Sequence, residues 1–158
     1  MIAVFLAEGF EEIEALSPVD YLRRANVDVT LVAVTSNNPV DPRIVKSSHG
    51  VSVFADKTLE DFLSGLNGSL PDAVFFPGGL PGATNLASSS LVNSLILSAY
   101  NKGRVVSAIC ASPAVVFGPL GIIKSGKATC YPGCEDFAPG IDFVSDGVVV
   151  DGNVVTGK

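Results

Sequence analysis

Four short, almost wholly apolar runs, at residues 2–7, 27–35, 72–76 and 104–109, are the feature that most limits what this chain can become. Each has strand length, and three lead into segments whose apolar residues recur at helical spacing. A strand apolar on both of its faces must be covered on both, which a parallel sheet flanked by helices achieves and an open antiparallel sheet does not. The fold class expected is therefore α/β, a mostly parallel sheet sandwiched between helices. In such sheets ligands bind beyond the carboxyl ends of the strands. That places three loops together: Glu8 to Glu14, Pro77 to Gly82, and Cys110 to Pro113.

Composition agrees with a buried sheet. Of 158 residues, 47% are hydrophobic and 16% charged, a size and balance that predict one domain spanning 1–158 around one core. The net charge of −6, with no clustered basic stretch, argues against nucleic acid as a partner. Residues 105–123 carry no charge but are punctuated by Pro113, Gly118, Pro119 and Gly121, so a strand and a buried short helix are expected there, and no membrane partner. The amino terminus lacks the basic start and cleavage site of a secretory signal, and the cysteines number three, which together predict a reducing cytoplasm.

Local signals place the helices. After Gly9-Phe10, a helix is predicted through Ile13, Leu16, Val19 and Leu22 to Arg23-Arg24, bent at Pro18. Thr58 to Asp61 reads as a capping box, and Ser89 or Ser90 as the cap of a helix reaching Tyr100. Residues 51–55 alternate like part of a hairpin, a helix is expected from about Ser112 to Phe117, and Asp151-Gly152-Asn153 marks a terminal hairpin.

Cys110 ends a buried strand where a helix begins, so backbone N–H groups and the helix dipole should lower its pKa and make it a nucleophile; the alternative is a small buried hydrophobe. Gly78 and Gly79 follow the strand ending at Phe76 and could present N–H groups to an oxyanion, or simply form a turn. Glu11, Glu12 and Glu14 complement the helix dipole, but Glu14, flanked by Ile13 and Ala15, could also be desolvated, protonated and placed to donate to a thiolate. His49 is the single histidine and falls in the hairpin-like segment, away from the crevice, where a surface or structural role is favoured. Cys130 and Cys134 flank a Tyr131-Pro132-Gly133 turn. Two further ligands at suitable spacing are not evident, so no metal site is expected and oxidisable turn cysteines are the reading.

Three motifs together resemble the ThiJ/PfpI superfamily, in its DJ-one-like branch, that of the Parkinsonism-associated protein deglycase. They are Gly9-Phe10-Glu11-Glu12-Ile13-Glu14 with Pro18-Val19-Asp20 and Leu22-Arg23-Arg24-Ala25; Phe76-Pro77-Gly78-Gly79; and Ala108-Ile109-Cys110-Ala111-Ser112-Pro113. The resemblance implies a flavodoxin-like three-layer sandwich, a homodimer, and a nucleophilic cysteine on a strained elbow. Cys110 matches that cysteine, Glu14 the carboxyl group bonded to it, and Gly78, Gly79 and Ala111 the backbone donors. It further implies cofactor-independent glyoxalase or deglycase action on methylglyoxal or its amine and thiol adducts, no metal, and, as the alternative, a redox sensor or chaperone built on the same thiol.

The chain departs from the family at three places. Tyr131 stands where human-type members carry a histidine, so Glu14 is expected to do more of the proton work. Ala111 stands where the peptidase-like branch has a histidine, which argues against proteolysis. The sequence stops at Lys158, where the family continues into a long helix, so either that tail has been cleaved or left out or this member does without it.

Overall fold

The computed structural model describes residues 1–123 and 127–158. In chain order the elements are β1 (Ile2–Leu6), α1 (Glu12–Arg24), β2 (Val29–Ala33), β3 (Ile44–Lys46), β4 (Ser52–Phe54), β5 (Lys57–Thr58), α2 (Leu59–Gly65), β6 (Ala73–Phe76), α3 (Gly82–Ala87), α4 (Ser90–Asn101), β7 (Val105–Ile109), a π-type turn (Pro113–Phe117), β8 (Lys127–Ala128), β9 (Asp142–Phe143), β10 (Val148–Asp151) and β11 (Val154–Gly157). Seven strands form one sheet in the order β10-β11-β7-β6-β1-β2-β5. All neighbours run parallel except β10 and β11, which form the terminal hairpin. This is the α/β architecture the apolar runs predict.

The two faces of the sheet are filled by alternate residues of the same strands. Phe5, Val74, Phe76, Val106, Ala108 and Val154 face one layer, where Phe62, Leu86, Ile96 and Phe117 come from α2, α3, α4 and the π-type turn. Phe5 stacks on Phe76 with ring centroids 5.0 Å apart, and Phe62 and Phe117 meet this pair edge-on. Val4, Leu6, Leu31 and Ala33 face the other layer and pack against Phe10, Ala15 and Val19. That side is closed over β1 and β2 by α1. Between α1 and the strands β6 and β7 lies an apolar cavity of about 260 Å³, bordered by Pro18, Leu22, Phe75 and Ser107.

The caps follow the sequence: Thr58 Oγ1 accepts from the Asp61 N–H, and the Ser89 side chain accepts from Val92. The helix α1 runs unbroken through Pro18, which cannot donate to the Glu14 carbonyl. The helix expected from Ser112 is a π-type turn starting at Pro113, and α3 carries no strong sequence signal.

Candidate active site

β1, β6 and β7 end at the same edge of the sheet, and the loops leaving them are tied by backbone bonds. Glu11 N–H donates to the Gly78 carbonyl at 3.0 Å, and Gly82 N–H to the Gly9 carbonyl at 3.2 Å. The hydroxyl of Ser112, fully buried, donates to the Pro77 carbonyl at 2.6 Å and clamps the third loop to the second. The glycines make this closeness possible: a Cβ on Gly79 would lie 2.5 Å from the Glu11 nitrogen, and one on Gly78 would lie 2.6 Å from Cys110 Cβ and 2.8 Å from Glu14 Oε2.

Cys110 occupies left-handed backbone space, φ +63°, between the end of β7 and the π-type turn. Non-glycine residues rarely adopt this region, because Cβ crowds the carbonyl oxygen. Here two hydrogen bonds over-determine it: Cys110 N–H donates to the Gly157 carbonyl at 3.0 Å, and Tyr131 N–H donates to the Cys110 carbonyl at 2.7 Å. The thiol lies beside the Glu14 carboxyl group and the Gly79 and Ala111 backbone, whose N–H groups exert a lowering pull on its pKa.

Glu14 is half-buried, and its Oε2 accepts from the Gly78 N–H at 2.7 Å. Burial raises the Glu14 pKa, against the opposing pull of the Gly78 and Cys110 hydrogen bonds. The Cys110 thiol is pushed up to about 11, first by burial and then by the charge of Glu14 beside it, against the smaller lowering effect of Gly79 and Ala111. The expectation of a lowered thiol pKa therefore does not hold. A π-type turn of five residues offers little dipole, and the neighbouring carboxylate outweighs it. The thiol therefore keeps its proton at neutral pH, with the Glu14 carboxyl group beside it to take it.

The structure brings together Cys110, Glu14, Gly78, Gly79 and Ala111, and gives each a distinct position. Gly78 N–H is engaged by Glu14, which leaves Gly79 and Ala111 as the donors at the sulfur. Tyr131 touches the site through its backbone, and its side chain is exposed. Two details come from the structure alone. Cys130 and Cys134 are buried among Ala83, Ala111, Ala114, Val115 and Ala138, while the Tyr131, Pro132 and Gly133 between them face solvent. His49 is the surface residue expected, and its Nδ1 lies 3.1 Å from Glu11 Oε2 and 3.2 Å from Glu12 Oε2. The signal missed was the β3–β4 hairpin folding back on α1, where Gly9 N–H meets the Lys46 carbonyl. Among the described residues, Glu11, Glu12 and His49 are the one group that brings three metal-ligating atoms within 4.8 Å. Ion pairing accounts for these contacts: Glu12 and Glu11 raise the His49 pKa, and at Glu12 the lowering from its own N–H, His49 and Ser47 exceeds the raising by burial. Ser112 is a supporting residue that sequence reasoning did not single out.

Comparison with known proteins agrees with this geometry. The DJ-1/PfpI family model matches residues 1–158. The Parkinson disease protein 7 homolog of Danio rerio is 34% identical over 158 residues, 98% of this chain and 79% of that protein. Protein DJ-1 homolog B of Arabidopsis thaliana is 34% identical over 99% of this chain, which spans about a third of that protein's length, 34%. Among solved structures, a cysteine-to-alanine mutant of a DJ-1 superfamily protein from Salmonella typhimurium superposes with a TM-score of 0.87 at 35% identity, covering 99% of this chain and 80% of that one. The oxidized DJ-1 of Toxoplasma gondii gives 0.86 at 35% identity, with 99% and 80% covered. No helix among the described residues is long and apolar enough to cross a membrane.

Proposed function

The chain belongs to the DJ-1/PfpI family, and from that and the Cys110–Glu14 pair we propose that it is a cofactor-independent glyoxalase or deglycase acting on α-oxoaldehydes such as methylglyoxal, or on their amine adducts. The observation that carries the reading is the left-handed elbow that sets the Cys110 sulfur beside the half-buried Glu14 carboxyl group, both within 3 Å of where a Gly78 Cβ would stand. Cys110 Sγ attacks the aldehyde carbon while Glu14 takes the thiol proton, so no free thiolate has to accumulate. The oxyanion that forms lies near the Gly79 and Ala111 N–H groups. Glu14 gives the thiol proton to the oxyanion, then carries the proton of the former aldehyde carbon to the neighbouring carbonyl oxygen, giving an enediol, and the proton of the first hydroxyl to the neighbouring carbon, leaving a lactoyl thioester. Water hydrolyses the thioester, releasing lactate and restoring the thiol. With a glycated amine as substrate, attack at the same carbon expels the amine.

The test is methylglyoxal consumption and lactate release by purified protein without glutathione or added metal, beside Cys110→Ala. Turnover lost in the variant is the expected result. A folded, reduced wild-type protein without turnover removes this reading and leaves Cys110 as a sensor of oxidation.

A further inference from the structure

Resting on Cys110 being the reactive thiol, we propose that Cys130 is its resolving partner, so that oxidation by a peroxide ends in a Cys110–Cys130 disulfide. Nothing in the aldehyde chemistry uses Cys130. All three cysteines of the chain nevertheless converge: Cys130 and Cys134 are buried in one apolar cluster, and Cys110 packs against it. The Tyr131 N–H bond to the Cys110 carbonyl, 2.7 Å, fastens the backbone just after Cys130 to Cys110 itself. With standard peptide dimensions this bond holds the two Cα atoms within about 7 Å, against the roughly 4.4–6.8 Å that disulfides usually span. The remaining movement is small. The turn Tyr131-Pro132-Gly133 is exposed, and a Cβ on Gly133 would meet nothing within 4 Å, so the turn has room to shift.

The chemistry balances with a peroxide as oxidant. Cys110 sulfur attacks one peroxide oxygen, the O–O bond breaks, and the sulfur becomes a sulfenic acid while the peroxide is reduced to an alcohol or water. Glu14 takes the thiol proton and passes it to the departing oxygen. Cys130 sulfur then attacks the Cys110 sulfur and the S–O bond breaks. The leaving hydroxyl takes the Cys130 proton, giving a disulfide and one water. Burial pushes the Cys130 thiol up to about 12, so it attacks as the thiol and its proton leaves with the hydroxyl group. The sulfenic acid is captured before it advances to the sulfinic state, so the oxidation stays reversible by thiol reductants.

The experiment treats the reduced protein with a several-fold excess of hydrogen peroxide, enough for the two equivalents that a sulfinic acid consumes, and maps its cysteines by mass spectrometry without reduction. Cys110→Ala, Cys130→Ala and Cys134→Ser follow in parallel, and iodoacetamide labels the free thiols. The expected result is a Cys110–Cys130 linked peptide in wild type and in Cys134→Ser, with Cys110 sulfinic acid accumulating at least about tenfold faster in Cys130→Ala. Sulfinic acid at Cys110 with Cys130 still a free thiol in wild type overturns the proposal while leaving Cys110 reactive. A Cys110–Cys134 bridge overturns the choice of partner. A Cys110 that neither oxidises nor alkylates overturns the reading of the site, and the proposal with it. The decisive map is made on wild type, so a variant that fails to fold does not blunt it.

Discussion

Glu12 and Glu14 lie two residues apart on the first turn of α1, yet their carboxyl groups are driven in opposite directions. Glu14 points at the sheet edge, where burial dominates and raises its pKa. Glu12 points at the hairpin, where its own N–H, His49 and Ser47 outweigh burial and lower it. Same residue, same helix and nearly the same dipole give one group poised to move protons and one fixed as an anion. The lesson is that the rotation of about 200° between positions i and i+2, not the local sequence, assigns the roles.

The strongest way to break the contrast is Glu14→Gln beside Glu12→Gln. The first should lower methylglyoxal turnover on the order of 10²–10⁴-fold, and the second should leave it close to wild type, read in lactate-release assays. Next in size is Gly78→Ala, whose Cβ would meet Glu14 Oε2 and Cys110 Sγ at 2.8 and 2.9 Å. Displacing either group by an ångström should cost about 10²-fold in turnover while the far-ultraviolet spectrum is kept.

The pH response sharpens the same contrast. Since Glu14 must be ionised to take the thiol proton, turnover should rise with pH through a midpoint above the ordinary 4.5. A raised carboxyl pKa also means stability that is full below the unfolded value and is lost as pH rises through the folded one. Glu14→Gln should therefore gain stability relative to wild type on going from pH 4 to pH 8, measured by urea denaturation. A smaller effect of the same sign belongs to His49, whose raised pKa makes its pairing with Glu12 and Glu11 strongest below pH 6.5 and lost above its folded value. The thermal midpoint of His49→Ala should fall slightly short of wild type at pH 6 and match it at pH 9. Equal differences at both pH values would dismiss the pairing.

Much of this was legible beforehand, for identifiable reasons. The doubly buried strands betray themselves as apolar runs, and Thr58 and Ser89 cap where a hydroxyl before a helix should. Cys110 and the glycines were placed at one edge by the rule for parallel sheets, and Glu14 by its apolar neighbours. What stayed hidden depends on contacts between distant segments. The fold-back that carries His49 to Glu12 is 37 residues long. The burial of Cys130 and Cys134 depends on Ala83 and on Ala111 with Ala114 and Val115, from two distant segments. The engagement of Gly78 N–H by Glu14 depends on a loop contact that no periodicity encodes. The thiol's pKa departs from expectation because its burial comes from packing between distant segments and because Glu14, foreseen as a proton donor, acts on it first as a charge.

The left-handed backbone at Cys110 has a consequence for how this position can change. A glycine would relax the elbow, whereas alanine keeps the crowded Cβ and loses the sulfur, so Cys110→Gly should be more stable than Cys110→Ala by about 1 kcal/mol. The residue least comfortable in its own backbone is thus the one the proposed chemistry cannot replace, and selection for stability alone would steadily erase it.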